Sequence, residues 1–360
     1  MANNTARLGD LATYVNGYAF KPSDWGDTGL PIIRIQDLTG NSYQLNRYKG
    51  DYPARIEVND GDVLISWSAS LGVYVWQRGK ALLNQHIFKV VFDKLPINKD
   101  YFVFAVEHKL AEMESKTHGA TMKHIVKKDF DSTTIPYPAI EEQAEIAERL
   151  RRITALIEKQ QEQLLLLDQL VKSRFIELFG DPESNPKGWD RQRFDQICEN
   201  LDSRRVPITS TDRKAGNYPY YGASGIVDYV EDYIFDEDIL LISEDGANLL
   251  MRSTPIAFSV SGKVWVNNHA HVVRFESKAT QKYIEVCFAI TDISGSITGT
   301  AQPKLNQAKL NAMLFCIPPL ELQEQFAAFV EQTDKSKLAV QQGLQELEIL
   351  KKSLMQQYFG

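Results

Sequence analysis

The chain has 360 residues, 43% of them apolar and 24% charged, and its formal net charge is −7. These values are typical of a globular protein with two or three domains and proper cores. No apolar run approaches the roughly 18–20 residues that a membrane-spanning helix needs. The N-terminus lacks the apolar stretch of a secretory signal. Three scattered cysteines indicate neither a disulfide framework nor a zinc site. We therefore expect a cytoplasmic protein without a metal site.

The first 138 residues are predicted to form short strands and one helix. The strand candidates are apolar runs between Gly, Asn and Pro turns, at residues 31–35, 63–67, 73–76 and 87–92. Residues 101–114 show helical spacing instead, and four apolar residues share one face: Phe102, Ala105, Val106 and Leu110. This pattern predicts a mixed α/β domain.

A long helix is predicted to follow, between Pro138 and Gly180. Its apolar positions alternate steps of four and three residues, which is the heptad pattern of a coiled coil. We call these positions the first seam: Ile146, Leu150, Ile153, Ile157, Gln160, Leu164, Leu167, Val171, Arg174 and Leu178. About 39 helical residues span roughly 58 Å.

The second half repeats the first at an offset of 180 residues. Strands are expected at 239–243, 264–266 and 272–275, and an amphipathic helix at 283–290. Residues 79–92 and 262–275 are identical at six aligned positions: Gly79/Gly262, Lys80/Lys263, Asn84/Asn267, His86/His269, Val90/Val273 and Phe92/Phe275. The second long helix has a more polar seam: Phe326, Val330, Thr333, Lys337, Val340, Leu344, Leu347, Lys351, Leu354 and Tyr358.

We therefore predict an α+β fold with an internal pseudo-twofold repeat, in which two α/β domains are joined by two long antiparallel coiled-coil helices. The expected segments are a first globular domain, a central helical region, a second globular domain and a C-terminal helical region: residues 1–138, 139–180, 181–319 and 320–360. Antiparallel pairing would hold the two domains near opposite ends of the helices.

Four windows contain no Asp or Glu, although the chain is acidic overall: residues 63–92, 115–128, 246–275 and 293–320. A polyanion responds to local potential, so such windows can bind phosphates on an acidic protein. Buried strands are also free of acids, and that explanation stays open for the two longer windows. It fits residues 115–128 less well, because that segment is polar and rich in Lys and His.

Catalytic motifs are absent where an enzyme would need them. The sequence has no Walker A motif, no Gly-rich dinucleotide fingerprint and no zinc-type Cys/His spacing. Residues 317–320 only imitate the loop of a DNA adenine methyltransferase, because an apolar residue stands where a polar one is required. Glu244-Asp245 and 236–238 offer carboxylates for a metal ion, but the first half has no equivalent pair. We therefore predict a non-catalytic chain.

His86 and His269 each follow an asparagine by two residues. In a strand this spacing places Asn84 beside His86, and Asn267 beside His269, on one face. Two interpretations stay open, a hydrogen-bonded structural pair and a contact to nucleic acid.

The whole chain resembles the specificity subunit of type I restriction–modification systems. The second half carries the phrases 218–225 (YPYYGASG), 242–248 (ISEDGAN) and 267–271 (NNHAH). The helix openings at 135–143 and 317–325 match the helical regions of that family, as do KSRF at 172–175 and KSLM at 352–355. The second half matches better than the first.

The resemblance implies a non-catalytic DNA reader with two target-recognition domains, each reading one half of an asymmetric bipartite double-stranded target. The helices would set the spacer, which is the length of DNA between the two half-sites. They would also dock two adenine-N6 methyltransferase subunits, which use S-adenosylmethionine. Restriction would need a separate subunit that uses ATP and Mg. No cofactor and no membrane partner is expected for this chain itself.

Three alternatives stay open. The chain could be a DNA enzyme with an unrecognised site, a scaffold whose two heads bind proteins, or the specificity subunit of a methyltransferase system outside type I.

Candidate DNA contacts combine charge with side chains suited to base edges. Lysines are expected to hold phosphates, whereas Asn and Gln can read adenine. In the first half the candidates are Ser66, Ser68, Ser70, Lys116, Thr117, His118, Lys123 and Lys127. In the second half they are Tyr218, Tyr220, Ser224, Asn248, Thr300, Gln302 and Lys304.

Overall fold

The structure is a computed structural model that describes residues 4–40, 46–116, 125–299 and 302–360. The chain divides into two compact units. Unit 1 comprises Met1–Gln161 together with Gln342–Gly360, and unit 2 comprises Glu162–Gln341. Each unit therefore contains one globular domain and a part of both long helices. Within the described residues, no helix is both long and apolar enough to cross a membrane.

Unit 1 contains a two-stranded sheet and two four-stranded sheets. Its strands are β1 (Thr5–Arg7), β2 (Thr13–Asn16), β3 (Leu30–Ile33), β4 (Arg47–Tyr48), β5 (Glu57–Val58), β6 (Val63–Ser66), β7 (Gly72–Val75), β8 (Ala81–Leu83), β9 (Ile87–Val91) and β10 (Thr134–Pro136). Its helices are α1 (Leu8–Leu11), α2 (Ile35–Leu38), α3 (Lys99–Lys116), α4 (Lys127–Ser132) and the first part of α5 (Ile140–Phe179). The sheet orders are β1-β10, β2-β9-β6-β7 and β4-β3-β8-β5.

Unit 2 repeats this arrangement. Its strands are β11 (Arg191–Arg193), β12 (Glu199–Asn200), β13 (Ala215–Gly222), β14 (Gly225–Val230), β15 (Phe235–Asp236), β16 (Ile239–Ser243), β17 (Ala257–Val260), β18 (Lys263–Val266), β19 (Ala270–Arg274) and β20 (Leu314–Cys316). Its helices are α6 (Phe194–Ile197), α7 (Asn248–Met251), α8 (Lys278–Ile290), α9 (Gln307–Ala312) and the first part of α10 (Leu320–Phe359). The sheet orders are β11-β20, β12-β19-β16-β17 and β14-β13-β18-β15.

The internal repeat predicted from the sequence is confirmed by these strand orders. Each four-stranded sheet of unit 1 has a counterpart in unit 2 with the same order, including the parallel pairs β3–β8 and β13–β18. The apolar runs of β6 and β16 are buried at every residue. Such continuous apolar strands are covered on both faces, which is why their sequences do not alternate between apolar and polar residues.

Each unit has one core between its long-helix segments and one four-stranded sheet, and a second core between its two four-stranded sheets. In unit 1 the apolar face predicted for residues 101–114 is buried, and the helix that carries it, α3, is longer than predicted at both ends. Strand β3 ends at Ile33, and α2 begins at Ile35, so the predicted strand 31–35 ended two residues too late.

The long-helix segments pack antiparallel within each unit. In unit 1, Arg149 Nη1 of α5 lies 3.4 Å from the Tyr358 hydroxyl of α10. In unit 2, Lys337 Nζ of α10 lies 2.7 Å from Asp168 Oδ1 of α5. Every residue of both predicted seams is buried or half-buried, so the heptad assignment is confirmed. The antiparallel coiled-coil helices and the mixed α/β fold agree with the prediction.

The helix ends carry the anchoring aromatic residues. Phe359, near the end of α10, is fully buried in unit 1, where its ring centroid lies 5.2 Å from that of Tyr101. Phe179, near the end of α5, is buried in unit 2, 4.8 Å from Tyr283. Gly180 then adopts φ +78°, a left-handed conformation that favours glycine after a helix. The last phenylalanine of each long helix thus belongs to the core of the opposite half of the sequence.

Candidate nucleic-acid interface

Four loops of unit 2 lie together where β13, β16 and β18 end, and we call them the unit 2 edge. They are the hairpin turn 222–225, the loop 244–248, the turn 267–269 and the described parts of the loop 298–304. Backbone hydrogen bonds join them. The Glu244 N–H donates to the His269 carbonyl at 2.9 Å, and the Gly246 N–H donates to the Pro303 carbonyl at 3.0 Å. The Ser243 hydroxyl donates to the Ala223 carbonyl. Residues distant in sequence therefore share one surface.

An ionic network supports this edge from within the unit, and we call it the Arg205 cluster: Asp202, Arg205, Glu244, His271 and Lys304. Arg205 Nη1 lies 2.8 Å from Glu244 Oε2, and Lys304 Nζ lies 3.1 Å from Glu244 Oε1. His271 is buried, with Nδ1 2.6 Å from Asp202 Oδ2 and Nε2 2.8 Å from the Leu305 carbonyl. The network links the loop 244–248 to the strand β19 and to the loop that carries Lys304.

The two carboxylates of the Arg205 cluster are held in the charged form. Burial acts to raise the pKa of Glu244, but the hydrogen bond from Arg205, the charge of His271 and the hydrogen bond from Lys304 outweigh it, so the pKa lies below 4.5. Burial likewise opposes ionisation of Asp202, yet the hydrogen bond and charge of His271 and the Val272 N–H keep its pKa below 3.8. Opposite charges and donors at close range favour the charged form of a carboxylate.

At the surface of the unit 2 edge, Asp245 holds the ring of His269. His269 Nδ1 lies 2.9 Å from Asp245 Oδ2, and the two side chains are 49% and 15% exposed. The prediction that His269 and His86 each share a strand face with the preceding asparagine is wrong, because both histidines lie in turns between strands. The predicted Asn–His hydrogen bond occurs in unit 2 in a different form, since the His269 backbone N–H donates to Asn267 Oδ1 at 2.8 Å.

Unit 1 has a corresponding edge, formed by the loop 66–70, the turn 84–86 and residues 17–18. The Trp67 N–H donates to the His86 carbonyl at 3.3 Å, and the Gln85 N–H donates to the Tyr18 carbonyl at 2.9 Å. A Cβ on Gly17 would lie 1.9 Å from the Asn84 carbonyl oxygen, so this close approach requires glycine. The Ile125 N–H donates to the Trp67 carbonyl at 3.0 Å. We call these loops the unit 1 edge.

Two candidate contacts are contradicted by burial. The Ser66 side chain is fully buried, and its hydroxyl donates to the Ser70 carbonyl at 2.5 Å. Tyr220 is 1% exposed, and its hydroxyl accepts from the Ile208 N–H at 3.0 Å. Ser66 ends a strand that is buried at every residue, and Tyr220 is covered by the segment that carries Ile208. Both residues support the loops around them and do not present a side chain to a ligand.

The remaining described candidates lie at or near the surface. Ser70, Lys127, Ser224, Gln302 and Lys304 are exposed, and Ser68, Tyr218 and Asn248 are half-buried. Asn248 already uses its amide within its own loop, where Oδ1 accepts from the Thr254 N–H at 2.9 Å. Lys127 pairs with Asp131 at 2.7 Å. The structure brings Ser224, Gln302 and Lys304 together at the unit 2 edge, and it places Ser68 and Ser70 at the unit 1 edge.

Some candidates fall outside the described residues. They are Thr117, His118, Lys123 and Thr300, together with the side chain of Lys116. Their proposed DNA contacts stay predictions.

Carboxylates that the sequence offers for a metal ion form ion pairs within the unit instead. Glu244 pairs with Arg205 and Lys304, and Asp238 pairs with Lys278 at 2.6 Å. Across the part of the chain that the structure describes, no group of three or more His, Cys, Asp and Glu side chains is arranged to hold a metal ion.

Sequence reasoning did not single out Arg205, Asp202 or His271 as a cluster. His271 lies in the NNHAH segment at 267–271, but its partners Asp202 and Leu305 are 69 and 34 residues away in sequence. Only the fold brings these groups within hydrogen-bonding distance.

These edges define a protein with two loop-bearing α/β domains of one fold and different loop chemistry. The family model for the type I restriction modification DNA specificity domain matches residues 3–166 and again 186–349. The chain therefore belongs to this family and contains two copies of the domain, which confirms the resemblance seen in the sequence.

Relatives support the same assignment. The EcoBI specificity subunit of Escherichia coli is 30% identical over 168 residues, which are 46% of this chain and 35% of that protein. The match thus spans about a third of that relative. The MjaVIII specificity subunit of Methanocaldococcus jannaschii is 23% identical over 387 residues, covering 97% of this chain and 90% of the relative.

A solved structure, the type I restriction-modification system S subunit from M. genitalium, has the same fold. It is similar with a TM-score of 0.60 and 14% identity, covering 99% of this chain and 96% of that one.

Proposed function

We propose that the chain is the sequence-specific DNA-recognition subunit of a type I restriction–modification complex. Each globular domain would read one half of an asymmetric bipartite target in double-stranded DNA. The observation that carries this proposal is the pairing of one repeated fold with two unlike edges, in a family of DNA specificity domains. Two readers with different loop chemistry suit a target whose halves differ in sequence.

The unit 2 edge has the chemistry that DNA reading needs. Lys304 is exposed and can approach a phosphate, while Gln302 and Ser224 on neighbouring loops can reach base edges. The Arg205 cluster fixes the loops beneath them. Loops held in place before binding lose less conformational freedom on association. The unit 1 edge would use Ser68 and Ser70 together with the sequence-predicted candidates Lys116, Thr117, His118 and Lys123.

The long helices are proposed to set the spacer and to dock two adenine-N6 methyltransferase subunits. Both helices have 40 residues, so each spans roughly 60 Å. Large apolar side chains remain exposed on α5, among them Leu165, at 63%, and Leu166, at 54%. Two similar helical regions suit two copies of one partner. S-adenosylmethionine would belong to those partners, and ATP and Mg to a restriction subunit, so this chain itself would be non-catalytic.

Methylation mapping tests the proposal. The chain is co-expressed with the methyltransferase subunit of its own system, and N6-methyladenine is mapped across the host genome. We expect one bipartite motif, methylated on both strands. Replacing residues 181–319 by the corresponding domain of a relative should change one half of the motif and leave the other half intact. A stable complex that adds no methylation would favour the protein-binding scaffold instead.

The spacer is tested by inserting one heptad into both helices, after Gln161 in α5 and after Gln341 in α10. Seven residues add about 10.5 Å to each helix, and one turn of B-DNA measures about 34 Å per 10 base pairs. We expect both half-sites to be retained and the spacer to grow by about three base pairs. A three-residue insertion breaks the heptad register and is the control, for which we expect loss of methylation. An unchanged spacer after the heptad insertion would contradict the ruler role.

A further inference from the structure

At the unit 2 edge, His269 has one ring nitrogen held by a carboxylate, while its other ring nitrogen has no partner among the described residues. Nδ1 lies 2.9 Å and 3.0 Å from the two carboxylate oxygens of Asp245. Nε2 has no hydrogen-bond partner among the residues that the structure describes. The side chain is half exposed. The ring is thus oriented from one side and offers its other side to a ligand.

The backbone around this pair is held as well. The His269 N–H donates to Asn267 Oδ1 at 2.8 Å, and the His269 carbonyl accepts from the Glu244 N–H at 2.9 Å. Asp245 lies in a backbone bridge with Lys304, on the loop that carries Gln302. Three loops therefore fix the position of the imidazole without a ligand. Such preorganisation is typical of residues that discriminate between ligands.

The carboxylate also decides which ring nitrogen carries the proton. An ionised carboxylate only accepts hydrogen bonds, so Nδ1 must carry a hydrogen. In a neutral imidazole the lone pair is then on Nε2, which accepts. In the major groove the donors are the amino groups of adenine and cytosine, whereas guanine O6 and thymine O4 are acceptors. A held Nε2 lone pair therefore distinguishes an amino group from a carbonyl oxygen at one position.

We propose that His269 is a specificity-determining residue of unit 2 that accepts a hydrogen bond from the amino group of an adenine or a cytosine. Asp245 is its positioning residue. This inference rests on the proposed function and deepens it, because it names one side chain, one atom and one class of base group.

Unit 1 supplies a natural comparison. His86 occupies the equivalent turn, but its Nδ1 is buried and has no hydrogen-bond partner within the described residues. The neighbouring loop 66–70 contains no carboxylate. His86 is therefore not oriented by an acid, and His86→Ala is a matched control for His269→Ala.

The first experiment maps N6-methyladenine for complexes that contain His269→Ala, His86→Ala or the unchanged chain. We expect His269→Ala to relax the motif at a single position of the half-site that unit 2 reads. The other half-site and the spacer should stay as they are. His86→Ala should leave the unit 2 half-site unchanged. Relaxation in the unit 1 half-site, or a uniform loss on all sequences, would overturn the proposal, since the latter is the behaviour of a phosphate contact.

The positioning role is tested with two substitutions of Asp245. In Asp245→Asn the ring keeps an anchor, but the amide can donate to Nδ1 as well as accept from it, so the proton is no longer fixed and the motif should relax less than in Asp245→Ala. In Asp245→Ala the ring loses its anchor, and the motif should relax at the same position as in His269→Ala. Equal motifs for Asp245→Ala and the unchanged chain would refute the role of Asp245.

A measurement on the unchanged complex covers the case in which a variant does not fold. At the mapped position, adenine is replaced by purine, or cytosine by 2-pyrimidinone, so that only the amino group is lost. One hydrogen bond corresponds to an affinity loss of about 3- to 10-fold, and we expect this loss at pH 8. The same replacement with His269→Ala should change affinity less than 2-fold. Equal losses for both proteins would remove His269 as the partner of the amino group.

The outcomes for the two proposals are separable. If the unchanged complex methylates no motif, the proposed function fails and the role of His269 in DNA reading fails with it. If it methylates a bipartite motif that His269→Ala does not alter, only the proposal for His269 fails.

Discussion

The two units share a strand order but differ in the loop that follows their central strand. In unit 1, β6 leads into residues 66–70, which contain three serines and no charged side chain. In unit 2, β16 leads into 244–248, where Glu244 belongs to the Arg205 cluster and Asp245 holds His269. The strands beneath both loops are fully buried. Burial of the strands thus preserves the fold, while the loops are free to differ in chemistry.

The loops are also held by different forces. Around Trp67, packing dominates, with its ring stacked on Phe88 at 5.5 Å between centroids. Around Glu244, partly buried ion pairs dominate. The geometry of the unit 2 edge should therefore respond to charge substitutions and to pH, whereas that of the unit 1 edge should respond to changes of volume. The same fold can accordingly carry two edges with different sensitivities.

The largest expected effect tests whether the last phenylalanine of each long helix stabilises the core of the opposite half of the sequence. Removing a buried phenylalanine costs about 3–5 kcal/mol of unfolding free energy. Phe359→Ala should destabilise unit 1, and Phe179→Ala should destabilise unit 2. Hydrogen exchange resolved by segment measures both, with each variant as the other's control. Loss of protection in residues 181–319 for Phe359→Ala would contradict the packing described here.

A second effect is expected only in unit 2. Arg205→Ala leaves the carboxylates of Glu244 and Asp202 without their guanidinium partner. Removing one member of a buried ion pair destabilises by roughly 3 kcal/mol or more. Segment-resolved hydrogen exchange should show the loss in β16 and β19 and none in β6 and β9. Arg151→Ala is the control, because its ion pair with Asp100 is exposed and should contribute less than about 1 kcal/mol.

Acidification should separate the two edges further. The pKa values of Asp202 and Glu244 lie below their ordinary values of 3.8 and 4.5. A carboxylate with a lowered folded-state pKa stabilises above its ordinary value, and this contribution is lost as pH falls through the folded-state value. We therefore expect the difference in unfolding free energy between the unchanged chain and Glu244→Gln to be constant near pH 6. It should shrink below about pH 4.5.

The matched control for this titration is Glu57→Gln in unit 1. Glu57 pairs with Lys80 at 2.9 Å, but both side chains are considerably more exposed than Glu244. Its pH-dependent contribution should be the smaller of the two. A Glu244→Gln difference that is independent of pH would show that the Arg205 cluster does not stabilise unit 2 through charge.

The smallest effect concerns two equivalent buried hydroxyls. Ser66 and Ser243 end their strands and donate to the Ser70 and Ala223 carbonyls. Substituting alanine should reduce the unfolding free energy by about 1 kcal/mol in each case. Chemical denaturation measures this loss of unfolding free energy. Ser243→Ala should in addition loosen the hairpin turn 222–225, visible as faster exchange there, whereas Ser66→Ala acts within its own loop.

Much of the fold followed from local patterns. The heptad spacing of both seams matches their burial residue by residue, because helical periodicity depends on neighbours three and four positions away. The shared turn phrase at 84–86 and 267–269 was recognised as an equivalent pair, but its placement on a strand was wrong. Turn formation there depends on contacts with Gly17 in unit 1 and with Glu244 in unit 2.

The burial and pairing of the candidate DNA-contact residues could be predicted less well from the sequence. Ser66 and Tyr220 carry polar groups suited to a DNA contact, but both are buried. Whether a strand residue is buried depends on what covers each face of the strand, and the local sequence does not show this. The pairing of Asp245 with His269, 24 residues apart, has no signature in composition or spacing.

The sequence by itself determined the repeat, the two long helices, the mixed α/β class and the family, because each depends on periodicity or on phrases within a few residues. The tertiary structure alone decided which loops share an edge, which carboxylates are paired and which phenylalanine closes which core. These contacts join residues such as Asp202 and His271, 69 positions apart. They form only where buried strands of fixed order bring their ends together.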